Sequence, residues 1–404
     1  MPGFELFDDA ERREVNDVLN TGILMRYGFD GPRQGTWKSL ELEAEIVRYF
    51  GTGHAQLVSS GTAALTTAMA ALGIGAGDEV IMPSFTFVAS FEAVISVGAI
   101  PVLVEIDESL TLDPAAVEAA ITSRTKAVMP VHMCGGPADL RSISAICTRH
   151  NLLLLEDACQ AIGGTFDGKH LGTIGHAGTF SFDFVKTVTC AEGGAVLTNS
   201  EDIWRKCDAY SDHGHDHLGK DRGADLHPFL GYNYRISELH AAVGLAQMRK
   251  LDNFLSIQRR NASAIAEALG PVPGLEWRRT PEGGQDTGAF VSFYLPTEGL
   301  TREAIAALAA DGLTGNFYWY DNNWHYIRKW MHLKNGDFLH RLSEDQRMGV
   351  LHYANLAFPQ SDAVMSRCIS SSVSLLWSEE ESRTRGEQMA NVLRRVMEKA
   401  TVTI

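Results

Sequence analysis

The sequence predicts an α/β fold, a mostly parallel central sheet with helices on both faces, followed by a smaller C-terminal α+β domain. Three observations carry this expectation. Between residues 52 and 199 short apolar runs alternate with helix-like stretches. A long periodic stretch, 235–258, reads as a helix leading out of that region. Beyond it, the Gly- and Pro-rich segment 270–284 precedes a short strand and further helical patterns. The expected division is a large domain over 1–255, N-terminal segment included, and a small C-terminal domain over 256–404.

Taken in order, the expected strands are 55–59, 79–82, 101–106, 127–131, 152–156, 178–182 and 195–198, each an apolar run such as Leu152-Leu153-Leu154-Leu155. The intervening 63–72, 90–97, 114–121 and 140–150 have helical composition. In the second half, 290–295 reads as a strand, 302–310 as a helix and 379–399 as a terminal amphipathic helix. Sheets of this kind gather ligands at the carboxyl ends of their strands. Ser60, Phe87, His132, Asp157 and Lys186 all follow such ends.

Fifty acidic residues against 35 basic ones give a formal charge of −15. With no long basic run, nucleic acid and anionic membrane are unexpected partners. The most apolar region, 80–106, is interrupted by Pro83, Glu92 and Pro101, so it reads as strand, turn, helix and strand and not as a membrane span. Six scattered cysteines without metal-ligand spacing, and an N-terminus lacking a basic start and apolar stretch, point to a reducing cytoplasm.

The segment Phe180-Ser181-Phe182-Asp183-Phe184-Val185-Lys186 sets one lysine among apolar and small residues, downstream of Glu156-Asp157-Ala158-Cys159-Gln160. An amine in apolar surroundings is more readily neutral and nucleophilic, able to form a Schiff base with an aldehyde. Pyridoxal phosphate supplies that aldehyde and also needs a carboxylate beside its ring nitrogen, the place Asp157 would take. Either residue alone is ambiguous: such a lysine is commonly a solvated surface group, and such an acid a helix cap.

Leu152-Leu153-Leu154-Leu155-Glu156-Asp157-Ala158-Cys159-Gln160-Ala161, followed by Phe180-Ser181-Phe182, Lys186 and Glu192-Gly193-Gly194, resembles the DegT/DnrJ/EryC1/StrS sugar aminotransferases. The resemblance implies a fold-type-I pyridoxal-phosphate-dependent transferase, with Lys186 and Asp157 catalytic and pyridoxamine phosphate present during turnover. The implied amino donor is L-glutamate and the acceptor an oxo sugar. Pyridoxamine-dependent sugar dehydratases of the same fold carry histidine in place of the lysine, so Lys186 disfavours that activity. A non-catalytic cofactor-binding regulator is the alternative from another class.

Other site residues follow from position and resemblance together. Ser60-Gly61-Thr62 joins a strand to a helix, where free N–H groups favour a phosphate, although a plain N-cap explains the same residues. The resemblance extends phosphate contact to Ser181 and ring contact to Gln160. Phe87 is the expected stacking partner of the pyridine ring, with a core role as the alternative. Gly231-Tyr232-Asn233-Tyr234-Arg235 is similar to a family segment whose asparagine reaches the phosphate of the neighbouring subunit, which implies a homodimer with shared sites. Without that likeness Asn233 is a turn residue.

Two further tracts bear on the substrate. Asp212-His213-Gly214-His215-Asp216-His217 through Lys220 and Arg222 reads as an active-site loop in preference to a metal site, because no firm fourth ligand is evident. His215, Lys220 and Arg222 would receive an anionic sugar or the donor carboxylates. In Phe317-Tyr318-Trp319-Tyr320-Asp321-Asn322-Asn323-Trp324-His325-Tyr326 the rings and amides suit a sugar wall, with Tyr320, Trp324 and His325 as candidates, or equally a small-domain core. These tracts look like those of the 8-amino-3,8-dideoxy-manno-octulosonate transaminases. That likeness implies an 8-oxo acidic sugar destined for lipopolysaccharide, with a nucleotide-linked 3- or 4-oxo sugar as the alternative.

Overall fold

The computed structural model describes residues 3–219, 223–270 and 272–402. Along the first half run β1 (His54–Val58), β2 (Glu79–Pro83), β3 (Ile100–Val104), β4 (Thr125–Val128), β5 (Leu153–Asp157), the short pair β6 (Thr165–Phe166) and β7 (Lys169–His170), β8 (Ala177–Ser181) and β9 (Gly194–Thr198). Seven of these form one sheet in the order β1-β9-β8-β5-β4-β2-β3. The pairings from β3 across to β8 are parallel, and β9 runs antiparallel to both of its neighbours. Every residue of β2, β3, β8 and β9 is buried, as expected of strands covered on both faces. All seven runs expected from the sequence are present, with small shifts at their ends.

The helix Gly61–Ala71, made of small and apolar residues, is buried nearly all round between the sheet and the helices Val88–Ser96 and Glu201–Ser211. Its start is fixed by Ser60, whose Oγ accepts the Ala63 amide at 3.0 Å.

The second half adds β10 (Glu276–Trp277), β11 (Gly284–Gln285), β12 (Phe290–Tyr294), β13 (Asn316–Phe317) and β14 (Cys368–Ser372). A four-stranded sheet, β10-β12-β14-β13, packs with the helices Glu298–Ala310 and Glu379–Val402 around Phe293, Leu308, Ile369 and Leu393. β11 pairs antiparallel with β6 from the first half of the chain.

One expectation is redrawn. The stretch 235–258 is two helices, Glu238–Met248 and Leu251–Leu269. At the break Arg249 donates to Glu14 at 2.6 Å and Lys250 to Glu11 at 2.8 Å, so both side chains are drawn to the N-terminal helix Asp9–Thr21. Along the second of the two helices, Leu251 and Leu255 pack in the cluster beside the seven-stranded sheet, Ile265 and Leu269 in the cluster beside the four-stranded sheet. The later segment holding Trp319, Tyr326 and Trp330 returns to the core of Phe85 and Phe91. Among the described residues no helix is long and apolar enough to cross a membrane.

Candidate active site

A cavity of about 540 Å³ opens at the carboxyl ends of β1, β2, β5 and β8. Its floor at one end is the start of the helix Gly61–Ala71. The first-turn amides of Gly61 and Thr62 have no intrahelical acceptor, and both residues line the cavity with Ser60 and Ser181. Gly61 sits tightly here: a Cβ on it would lie 2.8 Å from Ser181 Cβ and 3.0 Å from Ser181 Oγ. The close approach leaves a cradle of N–H and hydroxyl donors suited to a phosphate.

Asp157 ends β5 at the other side of the cavity and is 3% exposed. Its Oδ2 accepts from Ser90 Oγ at 2.7 Å and its Oδ1 from the Cys159 amide at 3.1 Å, bonds that fix where the carboxylate points. Ser90 in turn lies 2.8 Å from Thr86 Oγ1. The neighbouring Glu156 is fully buried and accepts amides from Gly172, Ile174 and Gly175 at 2.6–2.9 Å. His132 Nδ1 accepts the Ala138 amide, so its Nε2 carries the proton and donates to Glu156 at 3.2 Å. The His132 amide donates to the Asp157 carbonyl, completing the fixation of the strand end.

Lys186 lies in the connection from β8 to β9 and is half-buried. Asp183 shapes the turn before it: its Oδ1 accepts the Val185 amide at 3.0 Å and its carbonyl the Lys186 amide at 3.0 Å. Lys186 lines the cavity, where its charge acts on both His325 and Cys159. Burial, with the Asp157 charge adding to it, pushes the Cys159 thiol well up, so it stays protonated.

The rim is aromatic. The Phe87 ring, 37% exposed, meets Trp324 at 6.1 Å in a stacked arrangement and His325 at 5.2 Å. Backbone pairing fixes these partners, because the Thr86 amide donates to the His325 carbonyl and the Val88 amide to that of Trp324. His325 Nδ1 donates to Asn322 Oδ1 at 2.9 Å, an acceptor shared with the Trp324 amide. Burial, reinforced by the Lys186 charge, lowers its pKa to about 3, so the ring is neutral near pH 7. Gln160 also lines the cavity, and its Oε1 accepts the Cys134 amide at 3.2 Å.

Thus Ser60, Gly61, Thr62, Phe87, Asp157, Gln160, Ser181, Lys186, Trp324 and His325 meet around one cavity. Tyr320 does not. Its ring is turned into the core beside Tyr326 by the short helix Trp319–Asp321, and its hydroxyl accepts from Arg328. His215 is buried away from the cavity wall, packed on His227 at 4.1 Å and near His217. Asn233 likewise stands outside this wall, its backbone bridged to Asp212. Lys220 and Arg222 lie outside the described residues. The histidine loop is organised by carboxylates: His217 bonds Asp208 at 2.7 Å and Asp212 at 2.8 Å, and Asp212 also accepts from Arg235.

Sequence reasoning missed Ser90, Thr86 and Asp183. Thr86 and Ser90, hydroxyls four residues apart in an otherwise apolar helix start, were the available signal for the pair that supports Asp157.

The residues present fit pyridoxal phosphate: N–H and hydroxyl donors for its phosphate, a buried carboxylate for its ring nitrogen, an aromatic face and an amine. The chain is 38% identical to the GDP-perosamine synthase of Vibrio cholerae over 297 residues, 73% of this chain and 76% of the relative. It is 43% identical to that of Caulobacter vibrioides (strain ATCC 19089 / CIP 103742 / CB 15) over 227 residues, 55% and 59% of the two chains. The crystal structure of 3-amino-5-hydroxybenzoic acid synthase superposes with a TM-score of 0.80 at 29% identity, covering 96% of this chain and 97% of that one. A family model matches residues 7–341. The chain belongs to the DegT/DnrJ/EryC1/StrS aminotransferase family, the pyridoxal-phosphate-dependent sugar aminotransferases.

Proposed function

We propose that this protein moves the amino group of L-glutamate to a free acidic oxo sugar, 8-oxo-3,8-dideoxy-manno-octulosonate, for lipopolysaccharide, working as a cytoplasmic homodimer. The observation that carries the amino-transfer part is the meeting of Lys186, Asp157 and the Gly61 helix start around one cavity.

The bound cofactor supplies an electron sink that stabilises negative charge at the carbon losing its proton. Asp157, positioned by its bonds to Ser90 and the Cys159 amide, would face the ring nitrogen as its carboxylate partner. Ser60, Thr62, Ser181 and the first-turn amides bind the phosphate, and Asn233 reaches the phosphate bound by the partner subunit. Phe87 would cover one face of the ring, and Gln160 would hydrogen-bond at its edge. Lys186 would hold the cofactor through its amine, and the same amine, once free, would take up the proton that leaves the donor α-carbon. The same movements in reverse aminate the acceptor. Trp324 and His325 orient the sugar, the neutral His325 ring as an uncharged hydrogen-bonding partner.

The acidic acceptor is the reading implied by the resemblance of the histidine loop and of the Tyr318–Tyr326 tract to the octulosonate transaminases; of that tract, Trp324 and His325 line the cavity. A cavity of about 540 Å³ is within the usual size of small-molecule sites. The likeness to GDP-perosamine synthases favours a second reading, a nucleotide-linked 4-oxo sugar acceptor.

Exchange of label between glutamate and 2-oxoglutarate tests the first half-reaction alone. A panel of the 8-oxo octulosonate and nucleotide-linked 3-oxo and 4-oxo hexoses then tests the acceptor. Turnover confined to nucleotide-linked sugars would overturn the acidic-sugar reading and leave amino transfer standing.

A further inference from the structure

The turn Gly3–Leu6 is far from Lys186 in sequence and touches it directly. The Gly3 amide donates to the Lys186 carbonyl at 2.9 Å. Gly3 is buried, and a Cβ on it would collide with the Thr187 carbonyl oxygen and with Gln247 Oε1, so only glycine brings the chain this close. The next residue, Phe4, lies flat on Phe184, with ring centroids 4.4 Å apart and planes within 4°. Phe184 and Val185 are otherwise more than half exposed at the tip of the lysine loop.

The same turn is anchored on its other side. Glu5 Oε2 accepts from Ser374 Oγ at 2.8 Å and from the Leu375 amide at 2.6 Å, both just beyond β14 of the small domain. Lys250 donates to the Leu6 carbonyl at 3.0 Å, and Gln258 to Thr187 Oγ1 at 3.2 Å. The loop carrying Lys186 is therefore fixed at its stems by β8 and β9 and at its tip by a remote piece of chain.

We propose that Gly3–Leu6 is a clasp that positions Lys186, with Gly3 and Phe4 as positioning residues that act through the loop and touch neither substrate nor cofactor. A half-buried lysine on an exposed tip samples many side-chain directions, whereas proton transfer between two carbons requires one. By pinning the lysine's own carbonyl and its neighbouring ring, the clasp restricts where the amine points. The inference rests on the reading that Lys186 bears the cofactor.

The test compares the full-length chain with Gly3→Ala, Phe4→Ala and the conservative Phe4→Tyr. Amide hydrogen exchange over 183–187 is measured with and without cofactor, beside the pH titration of bound-cofactor absorbance and the kinetics. The clasp predicts exchange about tenfold faster in Gly3→Ala and Phe4→Ala in both states, a shifted absorbance titration, and kcat down about tenfold with the donor KM within about threefold. Phe4→Tyr, which keeps the stacked ring, restores all three. Unchanged exchange in Phe4→Ala overturns the clasp, and so does faster exchange with kcat and titration unmoved, which would mark a tether without influence on the amine. If Gly3→Ala fails to fold, the Phe4 pair decides. Borohydride trapping of cofactor on Lys186 in the unsubstituted chain checks the underlying reading separately.

Discussion

Ser90 Oγ donates to Asp157 Oδ2 at 2.7 Å from the first turn of the helix that follows Phe87, so one short segment supports both the ring-stacking and the ring-nitrogen candidates. A buried bond to a charged group contributes about 1.5–3 kcal/mol. Ser90→Ala is expected to weaken cofactor retention and lower kcat/KM about tenfold or more, measured by cofactor release on dialysis and steady-state kinetics. Wild-type values in Ser90→Ala would show that Asp157 needs no such support.

Removing the amine or the carboxylate separates their duties. Lys186→Ala should lose the borohydride-trapped adduct and at least about a thousandfold of turnover. Asp157→Ala should keep cofactor on Lys186 yet lose turnover. Mass spectrometry of the reduced protein distinguishes the two patterns, and full activity in either variant contradicts the assignment.

Gly61→Ala places a methyl against Ser181. Cofactor affinity should fall about tenfold or more, and the melting temperature should drop as well, because Ser181 or the helix start must shift to admit the methyl. Equilibrium dialysis against pyridoxal phosphate reads the first quantity and thermal unfolding the second.

His217 gives a pH-dependent stability with a definite sign. Burial opposes its charge, but hydrogen bonds to Asp208 and Asp212 raise its pKa to about 9, against about 6.5 when unfolded. Its contribution is complete below pH 6.5 and lost as pH rises through 9. After solvent screening it amounts to about 1–2 kcal/mol. The Tm difference between wild type and His217→Gln should therefore shrink from pH 6.5 to 9.5. His325, lowered to about 3, acts oppositely: it costs stability as pH falls from 6.5 toward 3.

Tyr320→Phe should lower Tm by breaking its bond with Arg328 and leave the acceptor KM unchanged, whereas Trp324→Ala should raise that KM severalfold. The reverse result would return Tyr320 to the sugar wall.

The sheet was legible because apolar runs bounded by turn residues leave few choices, and a Gly or Asp at the end of a buried strand marks the site end. The break at Arg249 was not, because it depends on Glu11 and Glu14, more than 200 residues away in sequence. The tract around Tyr320 was undecided for a similar reason. Its rings alternate between rim and core according to a short helical turn, and composition does not say which ring faces which way. Ser90 looked like an ordinary helix residue until Asp157 lay beside it.

The single reversal in the main sheet, at β9, has its own consequence. A parallel neighbour would have required a crossover, usually a helix, carrying the chain back to the other end of the sheet between the strand before the lysine and the strand after it. Here both stems are bonded to each other, so added or deleted residues between Phe182 and Gly193 would re-aim the nucleophile. Comparable length changes at the opposite edge of the sheet, in the turns that enter the parallel strands, would leave its aim intact.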